Sequence, residues 1–374
     1  MGISVKKVIL TSNTSWSVWN FRRGLIKALI DKGFDVYVVA PEDEYSKNFP
    51  KFIPLKNLDR KGKNPIRDAK LLLEYISIYR RIRPDLVLNF TIKPNIYSSL
   101  ACRLLSIRCI STITGLGYVF VKESLLTKAV SFLYRLSLAK NDKIVFQNQD
   151  DMDLFLKRGL VKEERVVIIK GSGIDVELFN PKVCQKKEKD TFIFLMVSRL
   201  LWDKGVGEFV SAGRLLKEAY KEKIELWLLG PIDKGNPSSV SEEDIKKWEE
   251  EGIIKYLGTT QDVRPFVCQA DCVVLPSYYR EGIPRSLLEA IAMERPIITT
   301  DSPGCREVCK DGENGFLVKP RDVESLFKAM ERMYRLSGEE RESMGRLGRE
   351  LAVDEFGEEK VIRDYLEIIF KEGG

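Results

Sequence analysis

At 374 residues the chain is long enough for two domains, and 44% apolar residues, 31% charged residues, 26 glycines and 15 prolines describe a globular protein, not a fibrous or disordered one. Histidine is absent. That excludes Ser-His-Asp and Cys-His nucleophiles, His-ligated zinc and proximal-His haem, and leaves acid–base work to carboxylates, Lys, Tyr, Cys or the substrate. The net charge of +6 is uneven: residues 1–180 hold 30 Lys/Arg against 18 Asp/Glu (+12), and residues 181–374 hold 31 against 37 (−6).

Lys7–Leu10 reads as a first strand. No leader-like apolar region precedes it, and no run approaches the ~20 apolar residues that cross a bilayer, so neither secretion by a leader nor membrane insertion is expected. Helical spacing over Asn20–Lys32 is followed by a strand at Asp35–Ala40 and a helix at Arg67–Arg83. Strands at Leu86–Phe90 and Cys109–Ile113, a helix at Ser124–Ala139, and strands at Lys143–Gln147 and Val166–Lys170 complete the first set. Asn180–Asp190 is polar, charged and aperiodic, and reads as a linker.

The second half repeats the scheme. Strands fit Phe192–Val197, Glu225–Leu229, Ile254–Leu257, Cys272–Leu275, Ile297–Thr299 and Gly315–Val318. Helices fit Gly205–Tyr220, Glu242–Glu251, Val263–Gln269, Pro284–Ala292 and Val323–Leu336. Two sets of strand–helix alternation predict an α/β chain of two Rossmann-like domains, 1–180 and 186–356, each a parallel sheet covered on both faces. The sheets are expected to face each other across a cleft. The tail, Glu358–Phe370, is amphipathic.

The seven cysteines are odd in number, and Cys268/Cys272 and Cys305/Cys309 lack the C-x-x-C spacing of zinc ribbons. They read as small buried hydrophobes in a reducing compartment, without a disulfide framework. The basic half points to an anionic partner: nucleic acid, an anionic membrane face or a phosphorylated substrate.

Two segments after strands carry chemistry. In Pro276–Ala290, Glu281 and Glu289 are eight apart, and Glu281–Pro284 is a loop entering a helix with Pro284 in its first turn. The amides of Gly282, Ile283 and Arg285 would face an anion, and Glu289 could accept hydrogen bonds from a sugar diol. In Val197–Val206, Arg199 and Lys204 lie at a helix entry closed by Gly205. A guanidinium fork and an ammonium point charge there suit a diphosphate. Asp151 and Asp153 form a D-x-D, but they begin an amphipathic stretch where acidic residues are common, so a structural role and activity that persists in EDTA are expected.

In order, Ser198–Gly205, Leu229–Gly230, Tyr256–Gly258, Ala270–Ser277, Glu281 with Glu289, Asp301–Gly304 and Asn314–Phe316 resemble the family-four retaining glycosyltransferases of the GT-B fold. Asn89–Tyr97 and Thr112–Phe120 resemble a subgroup that builds lipid-linked oligosaccharides. Ala28–Leu29, Pro41–Tyr45, Leu201–Gly205 and Leu275–Tyr278 are similar to its members that add N-acetylgalactosamine to undecaprenyl-diphosphate saccharides. The resemblance implies a C-terminal helix, 357–374, packed back towards the N-terminal acceptor domain.

It also implies roles. Arg199 and Lys204 would grip the diphosphate of a UDP-sugar, with Glu281 on the donor sugar and Glu289 on the ribose. Gly282, Ile283, Pro284 and Arg285 would assist at the phosphates, and Leu257 would flank the uracil. Gly115 and Gly117 would approach the reacting sugars, and Lys93, Asn95, Asn13 and Ser17 would contact the acceptor. No metal or other cofactor is expected. Many family members carry a histidine in the N-terminal active-site loop; this chain has none, so no base is named, and front-face transfer is expected, with the leaving diphosphate taking the acceptor proton.

The expected acceptor is a polyprenyl-diphosphate-linked saccharide in bacterial N-glycan, O-antigen or capsule assembly, reached from the cytoplasmic face of the inner membrane. Ser124–Lys140, which interleaves apolar and basic residues, would dock on an anionic membrane surface or, alternatively, face the core. A glycosyltransferase with a soluble acceptor is one rival. A nucleic-acid-binding protein is another, disfavoured because no nucleic-acid-binding signature occurs and the informative motifs lie in the acidic half. A GT-B-like epimerase is a third, and its usual histidines are missing.

Overall fold

The computed structural model describes residues 6–60, 62, 64–116, 120, 125–184 and 190–370. The chain divides into two compact units, 1–173 with 358–374, and 174–357. In the first, strands β1 (Lys7–Thr11), β2 (Asp35–Ala40), β3 (Phe52–Pro54), β4 (Leu86–Phe90), β5 (Arg108–Ile113), β6 (Lys143–Phe146) and β7 (Val166–Ile168) form one sheet in the order β3-β2-β1-β4-β5-β6-β7. Every pairing is parallel, with Ile9 opposite both Tyr37 and Val87. Helices α1 (Ser15–Asp31), α2 (Pro65–Ile82), α3 (Ser99–Leu105), α4 (Leu125–Leu138) and α5 (Gln149–Lys157) make the crossovers. The chain runs outward from β1 to β3, then returns to the other side of β1 with β4. The strand order therefore reverses between β1 and β4.

The second unit repeats this plan. Strands β8 (Phe192–Val197), β9 (Ile224–Leu229), β10 (Lys255–Tyr256), β11 (Cys272–Leu275), β12 (Ile297–Thr300) and β13 (Gly315–Val318) lie in the order β10-β9-β8-β11-β12-β13, again parallel. Phe194, Leu195 and Met196 of β8 are fully buried because helices cover both sheet faces. The helices are α6 (Val206–Tyr220), α7 (Glu242–Glu250), α8 (Arg264–Gln269), α9 (Arg285–Ala292), α10 (Val323–Arg335) and α11 (Gly338–Phe356). Here the order reverses between β8 and β11. The change of unit comes at Gly173–Ile174, ahead of the polar Asn180–Asp190 segment, because Ile174 and Phe179 already pack in the second core. Residues 185–189 of that segment lie outside the described residues.

The tail forms α12 (Glu358–Phe370) and belongs to the first unit. Val361, Tyr365 and Ile369 enter its core beside Val8, Val18, Leu25 and Leu29. The Tyr365 hydroxyl bonds Thr112 Oγ1 at 2.9 Å. Buried Arg22 stacks its guanidinium 4.4 Å from the Phe90 ring centroid and 5.6 Å from that of Tyr365, a cation–π arrangement that ties α1, β4 and α12 together.

One cysteine expectation is overturned. Cys184 and Cys268 form a disulfide across 84 residues, joining the segment after residues 181–183 to α8. The C-x-x-x-C spacing hid it, since Cys268 ends up on α8 while Cys272 lies on β11. Cys102, Cys109, Cys272, Cys305 and Cys309 are free and buried, as small hydrophobes. Thiol titration of the denatured, unreduced protein is expected to count five thiols, and seven after reduction. For a loop of this length, reduction is expected to cost on the order of 2–4 kcal/mol of stability.

Candidate functional site

The carboxyl ends of β8 and β11 flank the reversal in the second sheet, the place where open parallel sheets present loops and helix N-termini to ligands. Leaving β8, the chain makes a short 3₁₀ turn over Trp202–Lys204 and enters α6 through Gly205 at φ 81°. Gly205 is required there, since a Cβ would overlap the Pro276 carbonyl. Leaving β11, the chain enters α9 through Pro284. Neither helix has a capping side chain at its first position. Helix N-termini of this kind carry the positive end of the backbone dipole.

The two loops are tied to each other. Tyr278 and Tyr279 donate their amides to the Asp203 carbonyl at 3.1 and 3.0 Å. Lys204 forms an ion pair with Glu281, whose Oε1 also accepts from Ser277 Oγ at 3.0 Å. The Lys204 and Glu281 side chains are 12% and 11% exposed. The Lys204 ammonium lies 5.1 Å from the Tyr279 ring centroid. Thr300 donates to the Ser277 carbonyl from β12, and Gly304 (φ 82°) packs against the carbonyls of Glu281 and Gly282. Cys305 lies close enough to feel Glu281 and Lys204. Its thiol is pushed up to about 12, by burial first and then by Glu281, so it stays protonated and is no nucleophile.

Arg199 pairs with Asp233, in the loop after β9, at 2.8 Å. Arg285 pairs with Glu289 one turn along α9 at 3.2 Å. Burial pushes the Glu289 carboxyl up from its ordinary value, against the pull of Arg285, and Asp262 adds to the rise. Leu257 follows β10. Its amide donates to Leu228, and Gly230 donates to the Gly258 carbonyl at 2.8 Å, holding this loop beside the end of β9. The structure thus brings Lys204 to Glu281 and Arg285 to Glu289. Asp233 and Ser277 are partners that sequence reading did not assign. Ser277 sat inside the informative Pro276–Ala290 run, whereas nothing marked Asp233.

In the first unit, Lys93 pairs with Asp68 at 2.5 Å, and Tyr97 donates to the same carboxylate at 2.9 Å. Asn95 lies in a π-helical turn over Pro94–Ser98, is 1% exposed, and donates to the Thr112 carbonyl at 2.8 Å. Ser17, at the start of α1, hydrogen-bonds Ser12 at 2.6 Å and donates to the Thr14 carbonyl at 2.9 Å, with half-buried Asn13 beside them. Asp43 accepts from Ser15 and from the Trp16 amide, so the α1 N-terminus already holds a carboxylate. Gly115 (φ 109°) follows β5; Gly117 lies outside the described residues. Asp151 is buried in the first turn of α5, where its amide donates to the Asn148 cap, and Asp153 accepts from Gln149. Among the described residues no group of three His, Cys, Asp or Glu side chains could hold a metal ion.

The architecture defines a class: proteins built from two Rossmann-like parallel-sheet units. Residues 181–351 match the group 1 glycosyl transferases, and residues 7–148 match the glycosyl transferase 4-like family. The chain belongs to these glycosyltransferases, and its fold is GT-B.

A Campylobacter jejuni relative, N,N'-diacetylbacillosaminyl-diphospho-undecaprenol alpha-1,3-N-acetylgalactosaminyltransferase, is 29% identical over 84% of this chain and 86% of its own. An Escherichia coli relative, UDP-Gal:alpha-D-GlcNAc-diphosphoundecaprenol alpha-1,3-galactosyltransferase, is 25% identical over 72% and 71%. The Anabaena protein Alr3699/HepE, solved with UDP-glucose, superposes with a TM-score of 0.79 at 16% identity, covering 97% of this chain and 99% of that one. The first two relatives are named for undecaprenol-diphosphate-linked acceptors, and the likeness to the Anabaena protein is one of fold.

Proposed function

We propose that the chain moves a hexose or N-acetylhexosamine, N-acetylgalactosamine as the first choice, from a UDP-sugar to a polyprenyl-diphosphate-linked saccharide, retaining the α configuration. The acceptor class follows the two undecaprenol-diphosphate relatives, and UDP follows the donor for which one relative is named and the bound ligand of the Anabaena neighbour. The setting is bacterial glycan assembly at the cytoplasmic face of the inner membrane. Among the described residues no helix is long and apolar enough to cross a membrane.

The observation that carries the reading is the Lys204–Glu281 pair, largely withdrawn from water between two helix N-termini that lack capping side chains. An incoming diphosphate would exchange with Glu281 for Lys204 and with Asp233 for Arg199, and Glu281 would turn to donor-sugar hydroxyls. Glu289 would accept from the ribose, Leu257 would flank the uracil, and Gly282, Ile283, Pro284 and Arg285 would line the phosphates. In the first unit, Asn13, Ser17, Lys93 and Gly115 would meet the acceptor, while Asn95 holds the end of β5 through Thr112. The leaving diphosphate takes the proton of the attacking hydroxyl as the new glycosidic bond forms on the same face. No metal takes part, so transfer runs at full rate in EDTA.

Calorimetry with UDP, GDP and ADP tests the donor: UDP gives heat and the others bind at least about tenfold more weakly, one to three kcal/mol being the reach of a few pocket contacts. No heat with UDP would end the reading. The raised Glu289 pKa fixes a sign. Its carboxylate is lost on acidification at a higher pH than an ordinary glutamate's, and UDP affinity falls with it. Glu289→Gln is expected to bind UDP more weakly at neutral pH and to lack that acid limb.

A further inference from the structure

Helix α4 presents a stripe that its own unit does not cover. Phe132 is 66% exposed and Leu136, one turn on, is 39% exposed; Leu104 of the adjoining α3 is 66% exposed. Arg103 donates from its guanidinium to the Leu136 carbonyl at 2.8 Å, which sets the end of α3 against the last turn of α4. The opposite face of α4, through Tyr134 and Leu138, is sunk in the core with Phe146 and Phe155. Sequence reading left this helix divided between a core face and a docking face. It has both.

Exposed bases border the apolar residues: Arg103 on α3, and Lys128 and Arg135 on α4. Among the described residues neither Lys128 nor Arg135 has a carboxylate partner. The sequence from Leu86 to Asn141 holds seven Lys/Arg and one acid, Glu123. A second copy docking face to face would set like charges against each other. Nucleic acid would leave protruding leucines and a phenylalanine against phosphates. Apolar side chains projecting from a basic ring match a bilayer surface, where the apolar groups enter the acyl boundary and the bases meet anionic headgroups.

We propose that Leu104, Phe132 and Leu136, ringed by Arg103, Lys128 and Arg135, form the surface on which this protein docks on an anionic membrane leaflet. The proposal deepens the lipid-linked-acceptor reading and rests on it. The surface would keep the first unit at the membrane plane where the acceptor diphosphate lies.

Flotation of the full chain with vesicles of phosphatidylglycerol and phosphatidylcholine tests it. The native chain is expected to float with them, to be released as salt rises, and to ignore pure phosphatidylcholine vesicles. Phe132→Ser/Leu136→Ser and, separately, Lys128→Glu/Arg135→Glu are each expected to lower partitioning at least about tenfold with UDP calorimetry unchanged. The charge pair lies on exposed side chains and guards against misfolding of the apolar pair. Native-like flotation of either variant would overturn the proposal. So would equal binding to neutral vesicles, a dimer in solution that Phe132→Ser dissolves, or binding of duplex DNA in place of vesicles. UDP heat without vesicle binding ends the docking surface alone; vesicle binding without UDP heat ends the donor reading.

Discussion

Lys204→Ala is expected to lower kcat for sugar transfer by about 10²–10³, the usual loss when one preorganised charge facing a developing anion is removed. The Lys204 side chain is 12% exposed and its ammonium is held by Glu281, so it stands in a position largely closed to water before any ligand arrives. Charge that builds on a leaving diphosphate would meet a fixed cation with little solvent to reorganise. Glu281→Gln separates ground-state from transition-state effects. The amide keeps a hydrogen-bonding partner for Ser277 but releases Lys204 from its ion pair. UDP alone is expected to bind this variant at least as tightly as the native protein, while transfer is lost. Lys204→Arg is expected not to restore the rate, because a planar fork does not replace a compact ammonium in a half-closed turn. Steady-state kinetics beside UDP calorimetry reads both. A Lys204→Ala enzyme with kcat within about threefold of native would remove Lys204 from the chemistry.

The central strands were legible because burial on both faces demands continuous apolar runs, as in Phe192–Val197. The loops after β8 and β11 were legible because glycine, proline and charged residues cluster there. Elements that depend on contact were not. β3 is three residues long and ends on Pro54; it exists by pairing with β2. The helix α11 carries Gly345 and Gly348, and glycine is a poor helix former. In the structure they let α11 approach Glu294 and Ile291, where Cβ atoms would crowd. The helix α1 starts at Ser15, before the expected Asn20, because Thr14 caps it and exposed Trp16 breaks the apolar rhythm. The Arg199–Asp233 pair joins loops from neighbouring strands, and the Cys184–Cys268 bond spans 84 residues. No local pattern encodes either.

Gly304→Ala is expected to act on the proposed donor site without touching a ligand. Gly304 has φ 82°, where alanine is strained by about 1–2 kcal/mol. A Cβ there would also lie 2.7 Å from the Glu281 carbonyl oxygen and closer still to that of Gly282. Both neighbours are backbone and cannot swing aside, so the Glu281–Gly282 turn must shift, and Glu281 would leave its place beside Lys204 and Ser277. Gly312→Ala supplies the control. Gly312 has φ 79°, yet its Cβ would find nothing within 4 Å. Both variants carry the same conformational strain, expected to lower Tm by a few degrees, roughly 2–4 °C per kcal/mol at this size. The Gly304 variant alone is expected to lose UDP affinity, by about tenfold or more, because only there does the overlap displace site backbone. If the two variants bound UDP equally well, the loop between β12 and β13 would be a stability element and the Glu281 turn would not depend on it.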